Sequence, residues 1–135
     1  MRNKMRTNLT LASVLLTGAL PVLAHHSLGA EYDVKKPLTM TGTVDKIEFF
    51  NPHIWMYVDV KDANGQTVEW QCEGAPPNNL IRQGWTKNSL KPGDTIKIYG
   101  FQAKDGGNTC AARTVTLPDG KKVFTGSAED GGPQQ

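Results

Sequence analysis

The sequence predicts an all-β fold with one short helix, a small OB-like β-barrel of five to six strands. Three features predict it. Runs of alternating apolar and polar residues recur between turn signals, the first run slips phase in its middle, and one helical signal follows the third run. Another small β-sandwich fits the same periodicity, but the bulged first strand and the position of the helix belong to the OB plan.

The first strand begins at Pro37. Leu38, Met40, Gly42 and Val44 alternate, and the apolar phase then moves to Ile47 and Phe49, which predicts a bulge near Asp45-Lys46. Asn51-Pro52 ends it. His53 to Val60 forms a second strand, with Ile54, Met56, Val58 and Val60 on one face and His53, Trp55, Tyr57 and Asp59 on the other. In the third, Thr67 to Glu73, Val68, Trp70 and Cys72 oppose Glu69, Gln71 and Glu73. A three-residue Ala63-Asn64-Gly65 loop sets Val58 against Trp70 and Val60 against Val68, which keeps one face apolar. A two-residue turn would mix core with solvent.

Pro76-Pro77 opens a short helix with Leu80, Ile81 and Trp85 as its apolar side and Gly84 at its end. A fourth strand follows at Thr95 to Ala103, a fifth at Cys110 to Leu117, and a short last one at Lys121 to Phe124. The expected organisation is a signal peptide over 1–24, an N-terminal arm over 25–36, the barrel over 37–126 and a disordered Gly/Pro/Gln-rich tail over 127–135.

Residues 1–24 carry the layout of a secretory signal: Arg2, Lys4 and Arg6, an apolar run from Leu9 to Leu20, then Val22-Leu23-Ala24. Cleavage before His25 implies a periplasmic protein of 111 residues whose formal charge falls from +2 to −1. It would have no membrane span and no electrostatic footprint for nucleic acid. In an oxidising compartment the two cysteines, Cys72 and Cys110, are expected to form a disulfide.

No nucleophile–base motif, phosphate-binding glycine loop or paired-carboxylate signature stands out, so no catalytic residue is assigned. Two constellations do carry chemistry. Cleavage before His25 would leave it with a free α-amine of pKa about 7.7 to 8. That amine and the Nδ1 of the same imidazole close a six-membered chelate, and His53 or His26 can add a third nitrogen. Such a planar nitrogen set favours Cu(II), with Met56 or Glu31 as auxiliary ligands. The bland reading is that His25 and His26 are solvated residues after a cleavage site, and that His53 is merely exposed beside a turn. The second constellation is the outward face of the second and third strands, with Trp55, Tyr57, Glu69 and Gln71 as its ligand-facing residues. Its acidic balance opposes phosphates and suits a cation, a sugar or a protein partner. The alternative is a solvated sheet face with incidental aromatics.

The motifs His25-His26-Ser27, Tyr32-Asp33, Lys36-Pro37-Leu38-Thr39 and Thr41-Gly42-Thr43-Val44 occur in order with Asn51-Pro52-His53 and Val68-Glu69-Trp70. Gly84-Trp85-Thr86, Leu90-Lys91-Pro92-Gly93-Asp94, Ala112-Arg113 and Val115-Thr116-Leu117-Pro118-Asp119-Gly120 follow. Together they resemble the Gram-negative secreted family catalogued as a domain of unknown function, number 6152. The resemblance implies a small periplasmic protein with a β-barrel domain and brings no established activity. The family pattern also opens on His-His-Ser after the signal and contains Asn-Pro-His, which strengthens the copper reading. Its members mostly lack cysteines, so Cys72 and Cys110 suit an added disulfide better than a metal site.

The expectation is therefore a non-enzymatic periplasmic protein that binds a metal ion, with copper as its cofactor. The alternative is an OB-like module for a sugar, an envelope component or a protein partner. An oxidative copper enzyme ranks below both, because no residue identifies a substrate.

Overall fold

A computed structural model describes residues 28–126. The expected signal segment, His25, His26 and the expected tail at 127–135 lie outside the described residues.

The element order is α1 (Leu28–Glu31), β1 (Tyr32–Glu48), β2 (Trp55–Lys61), β3 (Thr67–Glu73), α2 (Pro77–Arg82), β4 (Thr95–Ala103), β5 (Thr109–Thr116) and β6 (Lys122–Phe124). The sheet runs β3-β2-β1-β4-β5-β6, and a further β3–β5 pairing closes the first five strands into a ring. Every pairing is antiparallel except β3–β5, which is parallel and spans Gln71 to Glu73 against Thr109 to Ala111. This is the OB-like arrangement, closed unevenly: β5 gives the first part of one edge to β3 and the last part to β6.

The local chemistry explains the register. β1 slips against β2 between Val44 and Lys46, so Val44 faces Val58 and Ile47 faces Met56 across the bulge. Both apolar phases of β1 thereby serve one interior. Between β2 and β3 the Gly65 N–H bonds the Asp62 carbonyl, and Gly65 has φ +77°. A left-handed residue there is what the three-residue loop requires. Val58 consequently pairs with Trp70 and Val60 with Val68.

Ile54, Met56, Val58, Cys72, Leu80, Ile98, Cys110 and Val115 form the fully buried centre, joined by Val44 and Ile96. α2 sends Leu80 into this core, and its end is closed by Gly84 N–H to Ile81 and Trp85 N–H to Leu80. That Schellman pattern carries the expected apolar contact, since Leu80 and Trp85 are both buried. Ile81, expected on the apolar side of the helix, is 53% exposed instead. One helical turn can aim only one of two consecutive side chains inward.

Cys72 and Cys110 form the expected disulfide, and they pair directly in the parallel β3–β5 seam. Their separation of 38 residues corresponds to about 4 kcal/mol of stabilisation in the chain-entropy account.

β1 begins at Tyr32, whereas the alternation starts at Pro37. Tyr32 pairs with Ala103, the register breaks, and regular pairing with β4 resumes at Pro37. Asp33 to Lys36 bulge between the two, which hides the strand from a periodicity argument. The segment expected to be an arm therefore contains α1 and the docked start of β1.

Candidate functional site

Beyond β3, the chain continues alongside Ile54. The Gly74 N–H bonds the Ile54 carbonyl (2.9 Å), the Ile54 N–H bonds the Ala75 carbonyl (3.3 Å), and the Ala75 N–H bonds the Thr125 carbonyl (2.6 Å). A Cβ at Gly74 would come within 2.7 Å of Ile54 Cγ1, so glycine permits this close approach. The result is that the Gly74 carbonyl lies 2.9 Å from Nδ1 of His53.

A carbonyl only accepts, so Nδ1 of a neutral His53 carries the proton and Nε2 keeps its lone pair. Glu73 Oε1 stands 3.4 Å from the same Nδ1, with the side chains of His53 and Glu73 at 32% and 19% exposure. Both are reachable, and both are held. The other carboxylate oxygen of Glu73 accepts a 2.6 Å hydrogen bond from the phenol of Tyr32, 41 residues earlier in the chain. Burial pushes the Tyr32 phenol well above its ordinary range, and the Glu73 carboxylate, with Glu31, pushes it further. Tyr32 thus remains a donor.

The structure brings His53 into one cluster with Glu73 and Tyr32. Glu31 lies close enough to act on the Tyr32 phenol electrostatically. Met56 belongs elsewhere: it is fully buried in the core, on the opposite face of β2 from Trp55 and Tyr57. Its sulfur does not serve the His53 side, so the auxiliary role expected for it is withdrawn. Among the described residues no group of three or more His, Cys, Asp or Glu side chains is set to hold a metal ion.

On the outward face, Glu48 of β1 and Glu73 of β3 stand in register on either side of Trp55. One position along, Lys46 and Gln71 flank Tyr57, and then Thr43 and Glu69 flank Asp59. Lys46 Nζ sits 4.0 Å above the Tyr57 ring and bonds Glu48 Oε1 at 2.8 Å, while the Tyr57 phenol donates to Glu48 Oε2 at 3.2 Å. The Lys46 hydrogen bond holds the Glu48 carboxyl below its ordinary range. Partial burial, followed by the Glu48 charge, raises the Tyr57 phenol.

Periodicity missed Tyr32, Lys46, Glu48 and Gly74. Only Tyr32 left a signal, as a lone aromatic residue in an otherwise polar segment.

These features define a small OB-like β-barrel protein with a half-buried His–Glu–Tyr cluster at the start of its second strand. The chain belongs to the family of unknown function DUF6152, whose pattern matches residues 12–112. No curated protein matches it. No helix among the described residues is long and apolar enough to cross a membrane.

Proposed function

We propose that the protein is a periplasmic Cu(II)-binding protein that holds the ion through the mature N-terminal His25 and through His53. Cleavage before His25 would supply an amine and Nδ1 as one chelate, and Nε2 of His53 is the third nitrogen. The observation that carries this reading is the hydrogen bond of His53 Nδ1 to the Gly74 carbonyl. A metal-binding imidazole characteristically donates its second nitrogen in this way, which fixes the ring and leaves the other nitrogen basic. Tyr32 bonds the same Glu73 whose other oxygen stands 3.4 Å from His53 Nδ1, which puts Tyr32 on the His53 side of the barrel. Residues 25–27, fully extended, span about 10 Å. In this reading His53 serves in preference to His26 because its tautomer is already set.

Electron paramagnetic resonance of Cu(II) on the exported protein tests the proposal. Nitrogen-rich tetragonal coordination is expected, lost on inserting one Gly before His25 and reduced by one imidazole in His53→Ala. A spectrum indifferent to both changes rules the site out.

A second reading draws on Trp55, which is flanked in register by Glu48 and Glu73. A half-buried indole with carboxylates on both sides suits a sugar ring, which stacks on the indole and donates its hydroxyls to the carboxylates. Trp55→Ala should then abolish retention on a glycan array with Cu(II) binding intact. Equal retention of the variant removes this reading.

A further inference from the structure

The outward face of β1 to β3 already holds one ammonium group, supplied by the chain itself. Lys46 Nζ lies 4.0 Å from the centroid of the Tyr57 ring and donates to Glu48 Oε1 at 2.8 Å. An aromatic ring beside a carboxylate is a cation site, and here a lysine fills it. One position away on the same face the parts recur without the lysine. Trp55 stands in register between Glu48 of β1 and Glu73 of β3, and a Trp ring holds a cation better than Tyr does. Trp55 is half-buried, and among the described residues no side chain hydrogen-bonds to its indole or stacks on it.

The state of the two carboxylates selects the ligand. Glu48 Oε1 accepts from Lys46, Glu48 Oε2 from Tyr57, and Glu73 Oε2 from Tyr32. Three of the four oxygens beside Trp55 therefore already serve a donor of the protein. Their charge is less satisfied. Lys46 offsets one carboxylate, whereas the donor to Glu73 is an uncharged phenol and the Nδ1 proton of His53 goes to the Gly74 carbonyl. Asp59 and Glu69, paired farther along the face, add to the negative potential. Charge and an aromatic surface remain, with few open acceptors. A methylated ammonium needs only the first two, while a sugar needs an acceptor for each hydroxyl it donates.

We propose that Trp55, with Glu48 and Glu73, binds a quaternary alkylammonium ion, its methyl groups against the indole and its charge between the carboxylates. Copper takes no part in this site, and the ion competes with a sugar ring for the same indole.

The full chain is titrated with choline and with the uncharged carbon isostere of choline, in which tert-butyl replaces trimethylammonium. A chelator keeps metal out, so failure of the copper reading leaves this test unaffected. Nuclear magnetic resonance follows the Trp55 indole N–H and the ring-current shift of the ligand methyl protons in wild type, Trp55→Leu, Glu48→Gln and Lys46→Gln. Choline should bind about two- to fivefold more tightly than its isostere, the range of one exposed cation–π contact. Trp55→Leu should abolish the methyl shift, and Glu48→Gln should weaken binding by a similar two- to fivefold, about the worth of one exposed charge.

Lys46→Gln gives the sharpest sign. The side chain is 51% exposed, so its loss should leave the fold intact. It uncovers Tyr57 and leaves both carboxylates uncompensated, so choline should bind about two- to fivefold more tightly than to wild type. A role in structure alone would not improve binding. Equal binding of choline and its isostere, or no gain in Lys46→Gln, overturns the site. A neutral sugar that shifts the Trp55 indole where choline does not overturns it in favour of the sugar. Phosphatidylcholine vesicles name the source: retention assigns the ammonium to a lipid headgroup, and binding of choline without retention assigns it to a soluble molecule, either result supporting the site.

Discussion

The two faces of β2 and β3 are made from the same fourteen backbone positions and obey different physics. Inward, Met56, Val58 and Cys72 are sealed from water, together with Ile54 just ahead of β2. Apart from the disulfide made by Cys72, their contribution depends on volume and burial, and any apolar group of the right shape would serve. Outward, Trp55, Tyr57 and Glu73 are half-buried, and Tyr57 and Glu73 are held by specific partners, as is His53 just before the strand. Polar groups in such positions are costly unless paired, and each pairing has a direction and a donor. The inner face therefore specifies the fold, and the outer face is where specificity for something else can be stored.

The sharpest way to break this contrast is on the inner side. Ile54→Ala should destabilise the protein by about 2–5 kcal/mol, since the side chain is fully buried and its neighbours cannot close the space. Replacing Cys72 and Cys110 together by Ala should cost a similar amount, about 4 kcal/mol, by freeing the unfolded chain. Urea denaturation checks both. A midpoint unchanged in either variant would contradict the burial of Ile54 or the role of the seam.

Much of the inner face was legible in the sequence because alternation leaves few choices. The bulge at Asp45, the Gly65 loop and the Val58–Trp70 register all follow from keeping apolar residues on one side. The β3–β5 closure was legible only as a property of the OB plan, since no local pattern states which distant strands pair. The cluster was less legible still. His53 could be singled out as a histidine beside a turn, but Tyr32, which bonds the Glu73 beside it, sits in a polar stretch without periodicity, and the gathering of the three is a tertiary event. Ile81 shows the same limit: hydrophobic character marked it for the interior, and the geometry of a single turn excluded it.

A smaller effect lies where the two faces meet the N-terminal segment. Tyr32 is buried like a core residue and bonded like an outer one. Its phenol is held well above the ordinary value of 10.0 in the fold. The folded state therefore keeps this proton when the unfolded chain has lost it. The associated stability is fully present below pH 10 and declines as pH rises beyond it, by at most about 1.4 kcal/mol per pH unit. Tyr32→Phe should lose about 1–3 kcal/mol at neutral pH with the hydrogen bond to Glu73, and should show a shallower alkaline decline than wild type. Parallel alkaline limbs would mean that Tyr32 does not carry the proton difference.

The smallest expected effect is on the outer face alone. Glu48 accepts from Lys46 and Tyr57, but Lys46 is exposed and the other two are only partly covered, so water and salt screen the interaction and the side chains surrender entropy to hold it. Glu48→Gln should leave the urea midpoint at neutral pH within experimental scatter or slightly below wild type. The sign of its pH dependence is nevertheless defined. The carboxyl is held below its ordinary range by Lys46, so whatever it contributes is present above that range and disappears as pH falls through the lowered folded value. Wild type and variant should therefore converge on acidification, and the small neutral difference should shrink in high salt. A neutral-pH loss as large as that of Ile54→Ala would instead make this surface network part of the structural core, and the distinction between the two faces would fail at Glu48.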